Sequence, residues 1–325
     1  MKVVITGGAG FLGQRLARAL LARGQLTGPQ GRPEPIDTLV VFDAAAPAAP
    51  PADDPRLQVV RGDIGDRAAL ADVLDAETGS VFHLAAVVSA AAEADFDLGM
   101  RVNLYGTLAV LEACRALPQP PRLVFTSSIA AFGGELPAVV DDTTPLTPQT
   151  SYGTQKAIGE LLINDYSRKG FVDGRALRLP TVVVRPGKPN LAASSFASSI
   201  IREPLLGQEA LCPVSPETRL AIISPRRAVD ALLHAHELPP EAWGAYRAVN
   251  LPALSVSVEE MLAALRRVAG SRPLGRIRWQ PDPHIQRIIS SWPAVFTSQR
   301  ALRLGFQRDA RMEEIIEAFI ADELP

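Results

Sequence analysis

Short runs with apolar centres alternate with amphipathic ones along the first half of the chain. "KVVIT" (2–6), "TLVVFD" (38–43), "LQVVRGDI" (57–64), "SVFHLAA" (80–86), "RLVFTSS" (122–128) and "GRALRLPTVVVRP" (174–186) are rich in β-branched and aromatic residues and lack a polar face. Such runs read as strands buried on both sides. Between them, "FLGQRLARALLARG" (11–24), "RAALADVLD" (67–75), "VNLYGTLAVLEACRAL" (102–117) and "SYGTQKAIGELL" (151–162) repeat apolar residues at helical spacing. In the first of these, Leu12, Leu16, Leu20 and Leu21 form the stripe, and Gly24 closes it. Strand and helix in alternation predict an α/β fold with a parallel sheet covered on both faces. Residues 25–37 and the Pro/Ala run 44–55 read as loops. After Pro186 the rhythm breaks. A helix at about 225–238 and the run "AYRAVNL" predict a return to the sheet. The predicted organisation is a dinucleotide-binding unit over 1–186, rejoined at about 218–252, and a smaller, mainly C-terminal substrate-binding unit within 187–325.

"TGGAGFLG" joins the first strand to the first helix. Gly7, Gly10 and Gly13 permit a tight turn, close approach of a pyrophosphate, and packing of helix on strand, and the helix N-terminus then faces the phosphates. In that context the sheet reads as a doubly wound Rossmann sheet and the cofactor as a dinucleotide. Asp43, ending the second strand, suits the two ribose hydroxyls of NAD and repels a 2′-phosphate. Asp63, ending the third, is a candidate for the adenine edge or for a loop cap. Ser127 and Ser128 end a later strand, where hydroxyls open into the ligand crevice.

Composition narrows the partners. Over 325 residues the formal net charge is −2, with 47% hydrophobic and 21% charged residues. This balance points away from nucleic acid and from anionic membranes. Cys114 and Cys212 form no disulfide or metal pattern, and a reducing, cytoplasmic compartment is the expectation. His83, His234, His236 and His284 form no clear ligand set, so no metal is expected.

The helix opening at "SYGTQK", with Ser151 read as its N-cap, carries Tyr152 and Lys156 one turn apart on one face. A cation beside a phenol favours phenolate and makes a proton-transfer group usable near neutrality. An exposed Tyr and Lys on an ordinary helix is the alternative that these residues alone leave open.

Taken in order, "TGGAGFLG", Asp63-Ile64, "HLAA", "VNLYGT", "FTSS" and Tyr152-x-x-x-Lys156 resemble the extended short-chain dehydrogenase/reductase family of NAD-dependent epimerases and dehydratases, along essentially the whole chain. The resemblance implies that Tyr152 is the general acid/base and that Lys156 lowers its pKa and holds the nicotinamide ribose. It implies that Ser128 orients the substrate oxygen, that Ser127 touches the nicotinamide, and that Asn103 is linked to Lys156 through water. It places Gly7, Gly10, Phe11, Leu12, Gly13, Asp43, Asp63, Ile64, Leu84, Ala85, Ala86, Pro180 and Val182 around NAD. Two departures stand out: Phe132 replaces a frequent Tyr, and "PTVVVRPGKPN" brings Arg185 and Lys188 near the crevice. Those cations suit a small anionic substrate. The run 146–190, with "SSFASSIIREPL" and "SWPAVF", resembles a branch of sugar-acid dehydrogenases that oxidise the C2 hydroxyl of a four-carbon aldonate. Arg185, Arg219 or both are then expected to hold the carboxylate, with Ser89 and Ser194 or Ser195 on the hydroxyls. A nucleotide-sugar epimerase and a non-catalytic NAD sensor are the alternatives. A homodimer through the Tyr152 helix and the neighbouring run Leu108–Leu117 is expected by the same resemblance.

Overall fold

The computed structural model describes residues 1–47, 49–187 and 192–324. Its centre is a seven-stranded, wholly parallel sheet. In chain order its strands are β1 (Lys2–Thr6), β2 (Thr38–Asp43), β3 (Leu57–Arg61), β4 (Thr78–His83), β5 (Arg122–Ser128), β6 (Asp173–Leu179) and β7 (Ala248–Asn250). In space they run β7-β6-β5-β4-β1-β2-β3. The order reverses between β1 and β4, and a crevice opens beyond the carboxyl ends of those strands. The helices α1 (Phe11–Arg23), α2 (Arg67–Val73), α3 (Gly106–Arg115), α4 (Ser151–Arg168) and α5 (Pro225–Glu237) cover the faces.

Burial explains the assignment. Every residue of β1 is buried, and Val3 and Ile5 share a core with Leu16 and Leu20 of α1 and Leu232 of α5. Val4 faces the other layer with Val110, Leu111 and Cys114 of α3. Each such side chain contributes about 1.5–3 kcal/mol when fully buried. The apolar run Leu108–Leu117, expected at a dimer face, therefore sends those three residues into the chain's own core. α1 ends where Gly24, at φ 71°, turns its N–H back to the Leu20 carbonyl. The predicted loop 25–37 contains a small antiparallel hairpin, Gln25–Thr27 with Pro33–Pro35. It lengthens the path from the glycines to Asp43.

A separate apolar cluster gathers the helices Ser195–Leu205, Val258–Ala269 and Met312–Glu323 around Ile200, Ile201, Met261, Leu265, Ile316 and Phe319. It is edged by a three-stranded sheet in which Arg219–Ile223 lies between Leu254–Ser257 and Thr181–Val182. The chain passes from Ile223 into α5 and thence to β7, which pairs in parallel with β6. The end of the last helix reaches back to α1, where Arg15 meets Asp322 at 2.9 Å. No helix among the described residues is long and apolar enough to cross a membrane.

Candidate active site

The glycine turn is built by contact. Gly7 has φ +70°, and a Cβ there would lie 2.5 Å from the Ala85 backbone nitrogen. A Cβ on Gly13 would lie 2.6 Å from the Gly7 carbonyl oxygen. Gly10 is the N-cap of α1 and offers no side chain to the first-turn N–H groups, which leaves them for an anion. Asp43 accepts from the backbone N–H groups of Ala9 (3.1 Å) and Ala45 (3.2 Å), which fixes its carboxylate at the end of β2. A cavity of about 370 Å³ beside it is lined by Gly7, Gly10, Asp43, Asp63, Ile64, Leu84, Ala85 and Ala86, together with Arg101. The Gly65 N–H, and then Arg101, hold the Asp63 carboxyl below its ordinary range. Asp63, expected at an adenine edge or as a loop cap, therefore already has both a loop N–H and Arg101 as partners. A cradle from which Cβ atoms are excluded, an uncapped helix N-terminus and a fixed carboxylate together fit NAD.

A second cavity, of about 400 Å³, shares Gly7, Gly10, Leu84 and Ala86 with the first, so the two form one groove. Its lining includes Phe11, Leu12, Gly13, Ser89, Ser127, Ser128, Tyr152, Lys156, Pro180, Val182, Arg185 and Ser194. Tyr152 and Lys156 enter it from the first turns of α4. That helix is capped by Thr150, whose hydroxyl accepts from the Gly153 N–H at 3.1 Å; Ser151, expected as the cap, is its first residue. Gly153 is required because a Cβ would stand 2.0 Å from the Ala130 carbonyl oxygen. Gly159 lets α4 approach β5, since a Cβ would meet the Phe125 ring at 2.8 Å. These contacts answer why glycines stand in a helix whose propensity they weaken.

Lys156 is 2% exposed, and its ammonium donates to the Thr126 carbonyl at 2.8 Å. It lies 4.6 Å from the Phe125 ring centroid and 5.7 Å from that of Tyr152. Burial pushes its pKa down to about 7, with the Glu160 charge acting in the opposite direction. The Tyr152 side chain is half-buried as a whole, yet burial pushes its pKa up to about 12. The hydrogen bond with Ser128 acts to lower it. In the free chain burial outweighs that hydrogen bond.

Asn103 lies in a π-helical stretch, Met100–Tyr105, just before α3. Its side-chain carbonyl accepts from the Val87 N–H (2.7 Å), and its amide donates to the Val87 carbonyl (3.1 Å) and to Gln155 (2.7 Å). It clamps the loop after β4 against α4, and its side-chain link to that helix runs through Gln155, next to Lys156. The Ser127 hydroxyl donates to the Glu160 carboxylate, while the Ser128 oxygen accepts from the Ala130 N–H at 3.1 Å.

At the substrate end the predicted residues divide. Arg185 is half-buried in the cavity wall and has no acidic partner among the described residues. Burial, then the charge of Arg202, depresses its pKa, so the site destabilises an unpaired cation. Ser89 and Ser194 line the same cavity; Ser195 is buried and is not in the lining. Arg219 is not brought to the cavity. It stands exposed at the amino end of its strand, donating to the Ser255 carbonyl at 3.1 Å and pairing with Glu260 at 3.2 Å. Lys188 lies outside the described residues. Thr181, within the stretch from Pro180 to Val182 expected at the cofactor, also lines the cavity, as does Trp292, which was not singled out by sequence. Trp292 had a signal in the quoted "SWPAVF", but nothing local tied that segment to the crevice. Among the described residues no group of three or more His, Cys, Asp or Glu side chains could hold a metal ion.

Residues 3–244 match the model of the NAD dependent epimerase/dehydratase family. The chain is 58% identical over 322 residues to a D-erythronate dehydrogenase of Cupriavidus necator, covering 99% of this chain and 98% of that one. It is 48% identical over 320 residues to a D-erythronate dehydrogenase of Haemophilus influenzae, covering 98% and 99%. A solved structure described as a nucleoside-diphosphate-sugar epimerase from Agrobacterium tumefaciens superposes with a TM-score of 0.92 at 43% identity, covering 100% of this chain and 94% of that one.

Proposed function

We propose a reaction for this chain, which belongs to the NAD dependent epimerase/dehydratase family: oxidation of the C2 hydroxyl of a D-erythronate-like four-carbon aldonate to the 2-oxo acid, with Tyr152 as general base. The protein is an NAD-dependent sugar-acid dehydrogenase acting on a CH–OH group. The carbon oxidised and the base that serves it are the finer reading. The observation that carries this reading is the placing of Arg185, without an acidic partner among the described residues, in one small cavity with Tyr152 and Ser128. In an aldonate the carboxylate and the C2 hydroxyl sit on adjacent carbons. A cation and a base sharing one cavity match that pair of groups.

NAD, held in the glycine cradle, supplies the hydride acceptor. Arg185 holds the carboxylate through its paired N–H donors. Ser128 donates to the C2 oxygen and fixes it beside Tyr152, and the proton leaves that oxygen for the Tyr152 phenolate as the C2–H bond breaks. Lys156, as ammonium, favours the phenolate. Ser89 and Ser194 meet the remaining hydroxyls. Exposed Tyr105 and Leu161, on neighbouring helical segments, offer apolar surface for a homodimer.

The likeness to the Agrobacterium protein supports one other reading, a nucleotide-sugar epimerase. The two differ in net chemistry. D-erythronate and NAD should give stoichiometric NADH, whereas the alditol of the same length should give none. An epimerase gives no net NADH with either, and that result would remove the proposal.

A further inference from the structure

Behind the catalytic face lies a buried ionic pair that the reaction as written does not use. Glu160 is one turn beyond Lys156 on α4, and Arg178 is on β6. Both side chains are buried, at 0% and 4% exposure. The Arg178 Nε donates to the Glu160 oxygens at 2.9 and 3.1 Å, and its Nη2 donates at 2.7 Å. The guanidinium also donates to Asn250 Oδ1 (2.9 Å) and to the Tyr246 hydroxyl (2.5 Å). Asn250 donates in turn to the Asp141 carbonyl, in the loop that leads to Tyr152.

The pair reaches the catalytic centre twice. Lys156 and Glu160, a turn apart, grip consecutive residues at the end of β5: Lys156 the Thr126 carbonyl, Glu160 the Ser127 hydroxyl. Arg178 lies directly across from Ser127 in the strand register. Packing alone would not place a buried carboxylate here, since a buried ion pair is weak evidence for stability against an apolar replacement. The charged and titratable groups around Lys156 are Tyr152 and Glu160 on its own helix, His83 on β4, Arg178 on β6 and Tyr246 before β7. His83 is buried, and burial, then the Lys156 charge, pushes its pKa down to about 3, so it is neutral. Tyr246 is likewise raised by burial and neutral. Glu160 is therefore the one anion in this set.

We propose that Glu160 is a positioning residue of the dehydrogenase site, holding Lys156 in its ammonium form and fixing Ser127 at the end of β5, with Arg178 setting how much of its charge reaches the lysine. The inference rests on the reading of Tyr152 and Lys156 as the catalytic pair only for its consequence in turnover. The charge relation itself is a property of the free chain.

It can be read directly. The lysines are Lys2, Lys156, Lys169 and Lys188, so Cε-labelled lysine gives a simple spectrum, in which Lys156 is the resonance absent from Lys156→Met. NMR titration of the intact chain should show the Lys156 pKa falling by about one unit in Glu160→Gln, a tenfold loss of proton affinity. With substrate and NAD, the alkaline limb of kcat/KM should move the same way, with KM for NAD little changed. Arg178→Gln should move the Lys156 titration in the opposite direction. Where leaving Arg178 buried and unpaired prevents Glu160→Gln from folding, Arg178→Gln carries the test. A Lys156 titration that moves in neither folded variant overturns the proposal, whatever substrate the enzyme proves to take. Failure of the proposed reaction would show separately, as absence of erythronate-dependent NADH in the unmodified protein.

Discussion

The two ends of the groove are made differently. The dinucleotide end is backbone: a glycine turn that excludes Cβ atoms, an uncapped helix N-terminus and one carboxylate held by two main-chain N–H groups. Its glycine parts lie within a few residues of one another. The substrate end is side chain: Ser89, Arg185, Ser194 and Trp292 come from separate stretches of chain. Backbone geometry tolerates little change and recognises what all dinucleotides share. A wall of separate side chains can be altered one residue at a time, and the proposed function makes it the place where one sugar acid is told from another.

Tyr152, where the two ends meet, should show the largest effect. Tyr152→Phe keeps the ring and removes the proton acceptor, so kcat should fall at least ~100-fold, the low end for a lost general acid–base group. NAD binding, followed by nucleotide fluorescence, should be nearly unchanged. Substantial residual turnover would mean that another group takes the proton.

Arg185 sharpens the contrast between cation and scaffold. Arg185→Ala should raise KM for the aldonate about 10–100-fold, as expected when a charged hydrogen bond of roughly 1.5–3 kcal/mol is lost. KM for NAD should stay constant. Arg219→Ala should leave both within about twofold, because that side chain already pairs with Glu260 at the surface. Steady-state kinetics with both variants checks this. The reverse ranking would put the carboxylate elsewhere.

Asp43 has a smaller expected effect, confined to cofactor choice. The preference for NAD over NADP should narrow about tenfold in Asp43→Ala, on the scale of a single removed charge–charge repulsion. Equal use of the two cofactors by the unmodified protein would contradict the role given to this carboxylate.

How much was legible follows the same division. The sheet could be read because most of its strands have a buried apolar centre, as Val3, Val4 and Ile5 do in β1; the edge strand β3, expected to be buried on both sides, is instead mostly exposed because only one side of it is paired. The glycine turn could be read because it is a local spacing between a strand and a helix; Asp43 was read from its place at the end of a strand, and the Tyr152–Lys156 pair only from its place in the ordered set of motifs. The hairpin in residues 25–35 could not, since Pro33 and Pro35 mask its short strands. The cap of α4 was misplaced by one residue because Thr150 and Ser151 are both good caps, and only geometry shows which hydroxyl meets the Gly153 N–H. Arg219 and Trp292 exchanged places with respect to the cavity for a tertiary reason. Spacing along a chain does not say which end of a strand faces a groove, or that a segment beyond residue 290 folds over one formed before residue 190.

The central claim is that hydride leaves C2 of a short aldonate at the Tyr152 end of the groove. The direct measurement compares D-erythronate deuterated at C2 with the same acid deuterated at C3. The C2 label should pass to the nicotinamide and slow turnover by a primary isotope effect, and the C3 label should remain in the product. Deuterium reaching the cofactor from C3, or from neither carbon, would contradict it.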